Sequence, residues 1–338
     1  MKQIYIHTCE SYIPPYRQPV QEAISTGCYP QHEAHKDQYK AIAQEKNLWP
    51  VDMVIECAKR SIQQSNFRHS QISFLTYSYI HRQGQKHLWQ PAAYLQHKLD
   101  INQSLAVSVN HGCNSMMLCA KLAMDHLTAN DNEVALITSA DRFNTSDFDR
   151  WQSDYAVVYG DAAVAALLST HPGPFEILHF QHCAVSELEI MHRQSTPKIE
   201  TQVAHDDYYD TRSAKKDYLN KHGKEAFILN MQNALQSLKK TLMEETSLGT
   251  NKAKWLVLPN VGKSILSHLY EPIFLELAER NFWEFGQYIG HAGASDQFLG
   301  LALLKEKELL KPGDRIILIG AGAGFSCSTM LIEYNPKI

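Results

Sequence analysis

The 338-residue chain carries 32 lysines and arginines against 36 aspartates and glutamates, a formal charge of −4, with 44% apolar and 20% charged residues. That composition excludes a disordered tail or a fibre, and the near-balanced charge excludes nucleic acid as the main partner, because counterion release needs clustered cations. At roughly 150 residues per domain there is room for about two core-forming units, and no apolar run approaches the ~20 residues that cross a bilayer. With no signal-peptide core behind the Met1-Lys2-Gln3-Ile4 start, the expectation is a soluble, cytoplasmic protein without a membrane partner. The seven cysteines are odd in number, widely spaced and without a Cys-x-x-Cys pair, so they read as free thiols, and no metal site is expected.

Short β-rich runs alternate with helical ones along the whole chain, the pattern of an α/β protein. In the first half, strands are predicted over 3–8, 72–80, 104–110, 133–139 and 156–169. Helices are predicted over 51–65, 88–98 and 114–128, the last with Met117, Ala120, Met124 and Leu127 at helical spacing. The second half repeats the rhythm, with strands near 175–185, 254–259, 314–320 and 326–334 and helices near 224–245, 263–280 and 294–307. The similar order of 1–172 and 173–338 suggests an internal duplication, although the two halves share almost no residues in register. Residues 10–50 and the polar stretch 192–222 read as irregular regions that shape an entrance or a lid. Within the second, Asp206, Asp207, Asp210, Lys215 and Lys216 read as a solvated loop.

Residues 104–128 pass from a buried strand through a tight turn at Gly112 into an amphipathic helix, and Cys113 falls at the junction. There the positive end of the helix dipole favours a thiolate, and the backbone N–H of Cys113 can point at an oxyanion. The alternative is a small buried residue, which is what most cysteines are. Cys119, on an apolar face of the same helix, takes that core reading. His111, two residues before Cys113, would point to the same side as Cys113 if the strand continued, and otherwise reads as a histidine that packs or hydrogen-bonds in the core, the preferred reading.

Four further segments place a strand end or a glycine turn where a site can form: 158–169, 255–260, 290–296 and 319–327. Together with Cys113 they resemble, in order and spacing over nearly the whole chain, the ketoacyl synthase III branch of the thiolase superfamily. The resemblance implies a thiolase fold of α-β-α-β-α layers, usually homodimeric and built from two duplicated halves. Residues 1–172 would carry the nucleophile, and residues 173–338 the histidine and the Gly-rich loop. It also implies that Cys113 takes an acyl group as a thioester from acyl-coenzyme A or a phosphopantetheinyl acyl carrier protein, which are substrates and not bound cofactors. Ala323 or Gly324 would then supply the second oxyanion N–H beside that of Cys113. Taken alone, 320–325 reads only as a weak phosphate cradle, since neither a lysine nor a helix follows. In such folds the buried Asp161 of Tyr159-Gly160-Asp161 is paired and structural.

Condensing enzymes of this branch carry a His-Gln-Ala-Asn stretch after the Trp-Leu-Val strand and a Gly-Asn-Thr turn later. That His and Asn are the donors that stabilise the enolate of a decarboxylated malonyl unit. Here Pro259-Asn260-Val261-Gly262 puts a proline in the histidine's place, and His291 replaces the later asparagine. The site loses a donor pair and gains a titratable base beside the acyl cysteine. This suits acyl transfer to a hydroxyl, amine or activated carbon of a small-molecule acceptor, and is similar to the synthase III-like acyltransferases of polyketide and antibiotic tailoring in secondary metabolism. Asp149-Arg150-Trp151 and the stretch 187–193 support that subgroup. Asp296 either orients His291 or decorates the first turn of the following helix, and Asn260 is the other candidate partner. Arg150, Trp151, His192 and Arg193 are candidates for binding the donor. A decarboxylative ketoacyl synthase and a partner subunit of a heterodimeric synthase are the alternative readings.

Overall fold

The computed structural model describes residues 2–83, 88–130, 132–143, 148–192, 211–249 and 251–336. Its strands are β1 (Tyr5–Tyr12), β2 (Arg17–Pro19), β3 (Ala41–Ala43), β4 (Ile72–Ser78), β5 (Leu105–Val109), β6 (Val134–Asp141), β7 (Ala162–Ser169), β8 (Phe175–Ala184), β9 (Ala253–Val257), β10 (Ala278–Asn281), β11 (Asp314–Gly322) and β12 (Ser326–Tyr334). The helices are α1 (Val20–Ser25), α2 (Gln31–Asp37), α3 (Pro50–Gln64), α4 (Pro91–Lys98), α5 (Ser115–Ala129), α6 (Thr211–His222), α7 (Lys224–Glu245), α8 (Lys263–Ile265), α9 (Glu271–Phe274), α10 (Trp283–Gly286) and α11 (Asp296–Glu306).

Ten strands form one sheet in the order β10-β9-β11-β12-β8-β1-β7-β6-β4-β5. Outward from the β1–β8 contact, one wing runs β1, β7, β6, β4, β5 and the other β8, β12, β11, β9, β10. In each wing the first two pairings are antiparallel and the last two parallel. The wings pair through Tyr5↔Glu176 and Ile6↔Phe175, extended by the Ile177 N–H donating to the Ile4 carbonyl at 3.0 Å.

Strands buried on both faces read as near-continuous apolar runs, and every residue of β6 and β7 is buried. Alternation sends Ala135 and Ile137 of β6 to one core and Val134 and Leu136 to another. The second of these cores holds Val54 and Ala58 of α3 and Leu95 of α4. On the other wing, Leu235 and Leu238 of α7 and Ile273 of α9 cover Leu256, Ile317 and Leu331. Between the wings lie α5 and α11, with Cys119, Ala123, Phe298 and Leu301 packed on Ile137, Val164, Val257 and Leu318. The result is the α-β-α-β-α stack, and both central helices start at its middle.

Several local expectations change. Residues 10–50 contain a small antiparallel β2–β3 pair with two short helices between its strands. The predicted 156–169 strand begins only at Ala162. The predicted helix 263–280 is interrupted: Pro272 lacks an N–H, so the run passes through a wide turn at Leu266–Tyr270 before α9, and Ala278–Asn281 pairs with β9 as an edge strand. In the polar stretch, residues 211–222 are helical and not loop, while Asp206, Asp207 and Asp210 lie outside the described residues. No described helix is long and apolar enough to cross a membrane.

Candidate active site

Cys113 follows β5 and immediately precedes Asn114, the N-cap of α5. Its turn is in backbone contact with the loop after β11. A Cβ on Gly112, whose φ is +60°, would lie 2.6 Å from the Ala323 nitrogen, and one on Gly322 would lie 2.7 Å from the Cys113 nitrogen. Only glycine permits that approach from both sides. The buried Asn114 side chain donates to Ser326 Oγ at 3.1 Å and accepts from Ser328 Oγ at 2.6 Å, which fastens the start of α5 to β12.

Opposite, His291 is held by its backbone: its N–H donates to the Val158 carbonyl at 2.8 Å, and its own carbonyl accepts from Gly160 N–H at 3.0 Å. The ring Nε2 lies 2.9 Å from Cys113 Sγ and Nδ1 lies 2.5 Å from Asp296 Oδ2. Asp296 Oδ2 also accepts from the Asn260 N–H at 2.7 Å, and Oδ1 from the Ala292 N–H at 2.8 Å. His291 and Asp296 are 2% and 1% exposed, so water contributes little to either charge. Burial alone pushes the imidazole toward its neutral form, but its neighbours Asp296 and Cys113 outweigh it and hold its pKa well above 6.5. The arrangement is a cysteine, an imidazole and a carboxylate joined in one hydrogen-bonded chain.

Asp296, not Asn260, therefore occupies the far ring nitrogen. Asn260 contributes its backbone N–H to Asp296, while its side chain packs against Gly286 and its carbonyl accepts from the Tyr39 hydroxyl at 2.7 Å. Ala323 lines the cavity at Cys113, as does Pro259; Gly324 does not. His192 also lines it, its ring tilted 48° against Phe325 with centroids 5.2 Å apart. Two candidates for donor binding are placed elsewhere. The buried Arg150 pairs with Asp161 at 3.2 Å and is committed to neutralising it, with Glu45 N–H and Phe143 N–H completing the shell of that carboxylate. Trp151 is buried against Tyr29 at 5.3 Å. Arg193 lies outside the described residues. His111 is exposed and not core-packed, and Cys119 is buried.

The cavity has a volume of about 240 Å³. Val157, Val261, Leu269, Tyr270 and Phe227 give it apolar walls, and Asp154, Lys215, Tyr159 and His192 give it a polar end. Sequence reasoning missed Asp154 and misplaced Lys215, which is not a solvated loop residue: its Nζ donates to both Asp154 oxygens at 2.6 and 2.8 Å. Arg212, one helical turn earlier, clamps Glu33 at 2.8 Å and donates to the Asp154 carbonyl at 2.9 Å. That i, i+3 pair of cations on one helix face was the available signal. Burial and Lys215 together lower His192 to about 4, so its ring is neutral. Asp141, at the end of β6, was also missed. It accepts from the N–H groups of Ile80, a cavity-wall residue, and His81, and it abuts Gly293 in the turn after His291. Burial raises it to about 7.

The 3-oxoacyl-[acyl-carrier-protein] synthase III family model matches residues 107–185, and its C-terminal counterpart matches residues 243–334, together more than half of the chain. The chain belongs to the ketoacyl synthase III family of the thiolase superfamily. Among curated relatives of this family member, the beta-ketoacyl-[acyl-carrier-protein] synthase III of Clostridium novyi is 22% identical over 248 residues, 72% of each chain. That of Clostridium botulinum strain 657 is 21% identical over 88% of this chain and 87% of its own. The solved structure of the acyltransferase ChlB3 is similar over 99% of this synthase III-like chain and 98% of that one, with a TM-score of 0.89 and 29% identity. The 3-oxoacyl-[acyl-carrier-protein] synthase III of Aquifex aeolicus shares the fold, with a TM-score of 0.75 and 16% identity over 98% of this chain and 100% of its own.

Proposed function

We propose that this protein is an acyltransferase that carries its acyl group on Cys113 and passes it to a small-molecule acceptor. The observation that carries the reading is the Cys113–His291–Asp296 hydrogen-bonded chain in a cavity whose wall presents Pro259. The Cys113 thiolate attacks the carbonyl carbon of an acyl thioester of coenzyme A or of an acyl carrier protein. Negative charge builds on the carbonyl oxygen between the N–H groups of Cys113 and Ala323. The bond to the pantetheine sulfur breaks, and the departing thiolate takes the proton from His291 Nε2. The neutral imidazole then removes a proton from a hydroxyl or amine of the acceptor, which attacks the acyl carbon and returns Cys113 to its thiolate beside the recharged ring. Asp296 holds the Nδ1 proton throughout, so the ring works from one nitrogen.

Proline has no donor to offer an enolate, and His291 has one nitrogen facing the cysteine. The pair of fixed donors on which a decarboxylative condensation relies is therefore missing. The likeness to ChlB3 supports transfer. In this reading residues 1–172 provide the nucleophile and 173–338 the base and the loop, with the site between them in each subunit of a homodimer. The acceptor and the place in secondary metabolism follow from the same subgroup resemblance. The discriminating experiment supplies a malonyl thioester and follows product mass and carbon dioxide together. Transfer retains the whole malonyl group; carbon dioxide released at the rate of product formation would establish condensation instead.

A further inference from the structure

Cys183 on β8 and Cys327 on β12 take no part in the chemistry above, and the sheet sets them directly opposite each other. Beyond the strand ends, Val185 and Phe325 exchange both backbone hydrogen bonds, at 2.7 and 3.2 Å. Antiparallel pairs alternate, so 184/326 is a non-hydrogen-bonded pair and 183/327 is again a hydrogen-bonded one; the register has no irregularity between them. Such a pair has Cα atoms about 5.5 Å apart, in the middle of the range a disulfide bridges. Directly opposed side chains share a face, and both sulfurs look toward α7, where Cys183 Sγ lies 3.7 Å from the Ala234 carbonyl. Both thiols are free.

The two differ in environment. Cys183 is half-buried and reachable from solvent, whereas Cys327 is fully buried. The neighbouring thiol lowers the pKa of Cys183 and, together with burial, raises that of Cys327, so accessibility and environment both favour Cys183 as the attacking member. A half-buried, solvent-reachable thiol beside a buried resolving thiol is the arrangement of a reactive dithiol.

We propose that Cys183 and Cys327 are a redox-active pair that closes into a cross-strand disulfide on reaction with a low-molecular-weight disulfide. The Cys183 thiolate attacks one sulfur of the oxidant, forming a mixed disulfide and expelling one thiolate, which takes up a proton. The Cys327 thiol then loses its proton and attacks the Cys183 sulfur, forming the protein disulfide and expelling the second thiolate. The protein gives up two electrons and two protons, and one oxidant disulfide becomes two thiols. The bond joins β8 to β12 two residues beyond Phe325, and so fixes the base of the loop that brings Ala323 to Cys113.

The test uses the full chain carrying Cys113→Ala, which keeps the catalytic thiol out of the exchange, and oxidised glutathione as the probe. After alkylation of remaining thiols and digestion without reduction, a peptide pair linking Cys183 to Cys327 is expected. Cys183→Ser should abolish the link and leave Cys327 alkylated only after unfolding. Cys327→Ser should trap glutathione on Cys183. The exposed Cys28 is the internal control for oxidant reactivity. The proposal is overturned if the parent protein holds glutathione on Cys183 with Cys327 still reduced, or if both cysteines stay reduced while Cys28 is glutathionylated.

Discussion

Replacing Asp296 by Asn removes the charge that holds His291 protonated while changing one atom. Three donors converge on the two carboxylate oxygens: His291 Nδ1 at 2.5 Å, Asn260 N–H at 2.7 Å and Ala292 N–H at 2.8 Å. An amide offers one oxygen. In its better orientation that oxygen keeps His291 and Asn260, and its NH₂ faces the Ala292 N–H, so one bond is lost outright and two weaken from charged to neutral acceptors. At about 1.5–3 kcal/mol for a bond to a charged group and roughly half that for a neutral one, the loss is about 4 kcal/mol, enough to undo the thiolate–imidazolium pair. The iodoacetamide reaction of Cys113 reads this without knowledge of the substrate. An unassisted thiol with an ordinary pKa near 8.5 is about 1% thiolate at about pH 6.5, so the rate should fall by roughly thirty- to a hundredfold and regain the difference as pH rises. Alkylation is mapped to the Cys113 peptide, with the exposed Cys28 as the site that should not change. A folded Asp296→Asn protein whose Cys113 reacts within about threefold of wild type would refute the reasoning.

Three more outcomes follow from the geometry. A methyl at Gly322 would lie 2.7 Å from the Cys113 nitrogen and 2.5 Å from the Asn114 nitrogen; Gly322→Ala should cost at least about a hundredfold in acyl loading, read by the time course of intact mass, because the oxyanion donors separate. Arg150→Met leaves the fully buried Asp161 unpaired and should lower stability by about 3 kcal/mol in urea unfolding, yet leave loading of the folded enzyme within about threefold, where a donor-binding arginine would raise the donor KM. His192 is held at about 4, below its ordinary 6.5. At this residue the folded state thus binds fewer protons than the unfolded chain between those values, and the His192 contribution to stability falls as pH drops through that window, against an opposite contribution from Asp141, which is raised to about 7. His192→Asn should spare about 3 kcal/mol of that acid loss in urea unfolding free energy, leaving the share owed to His7, also lowered to about 4.

The parts of the site that were legible in the sequence are those fixed by local chain geometry. Cys113 announces itself because strand, glycine turn and helix follow one another within a few residues, and His291 and Asp296 are five apart across one turn. The choice between Asp296 and Asn260 was not legible, because Asn260 reaches the carboxylate through its backbone and its side chain faces away. Arg150 was misread for a related reason: a buried carboxylate eleven residues later claims its charge, and only the folded strand shows it. Lys215 sat in a charged stretch whose helical face has no partner until Asp154 arrives from across the cavity. The fold's layers followed from alternating apolar runs, whereas β10 depended on an edge of β9 that no local pattern contains, and Pro272 broke a helix that spacing alone extended to residue 280.

The central claim is that an acyl group rides on Cys113. The most direct measurement is the intact mass of the purified protein after exposure to a panel of acyl-coenzyme A and acyl-carrier-protein donors, with the modified residue located by peptide mapping. One acyl mass should appear on Cys113 and be released by hydroxylamine, and Cys113→Ala should acquire none. An equal acyl mass on the Cys113→Ala protein would contradict the account.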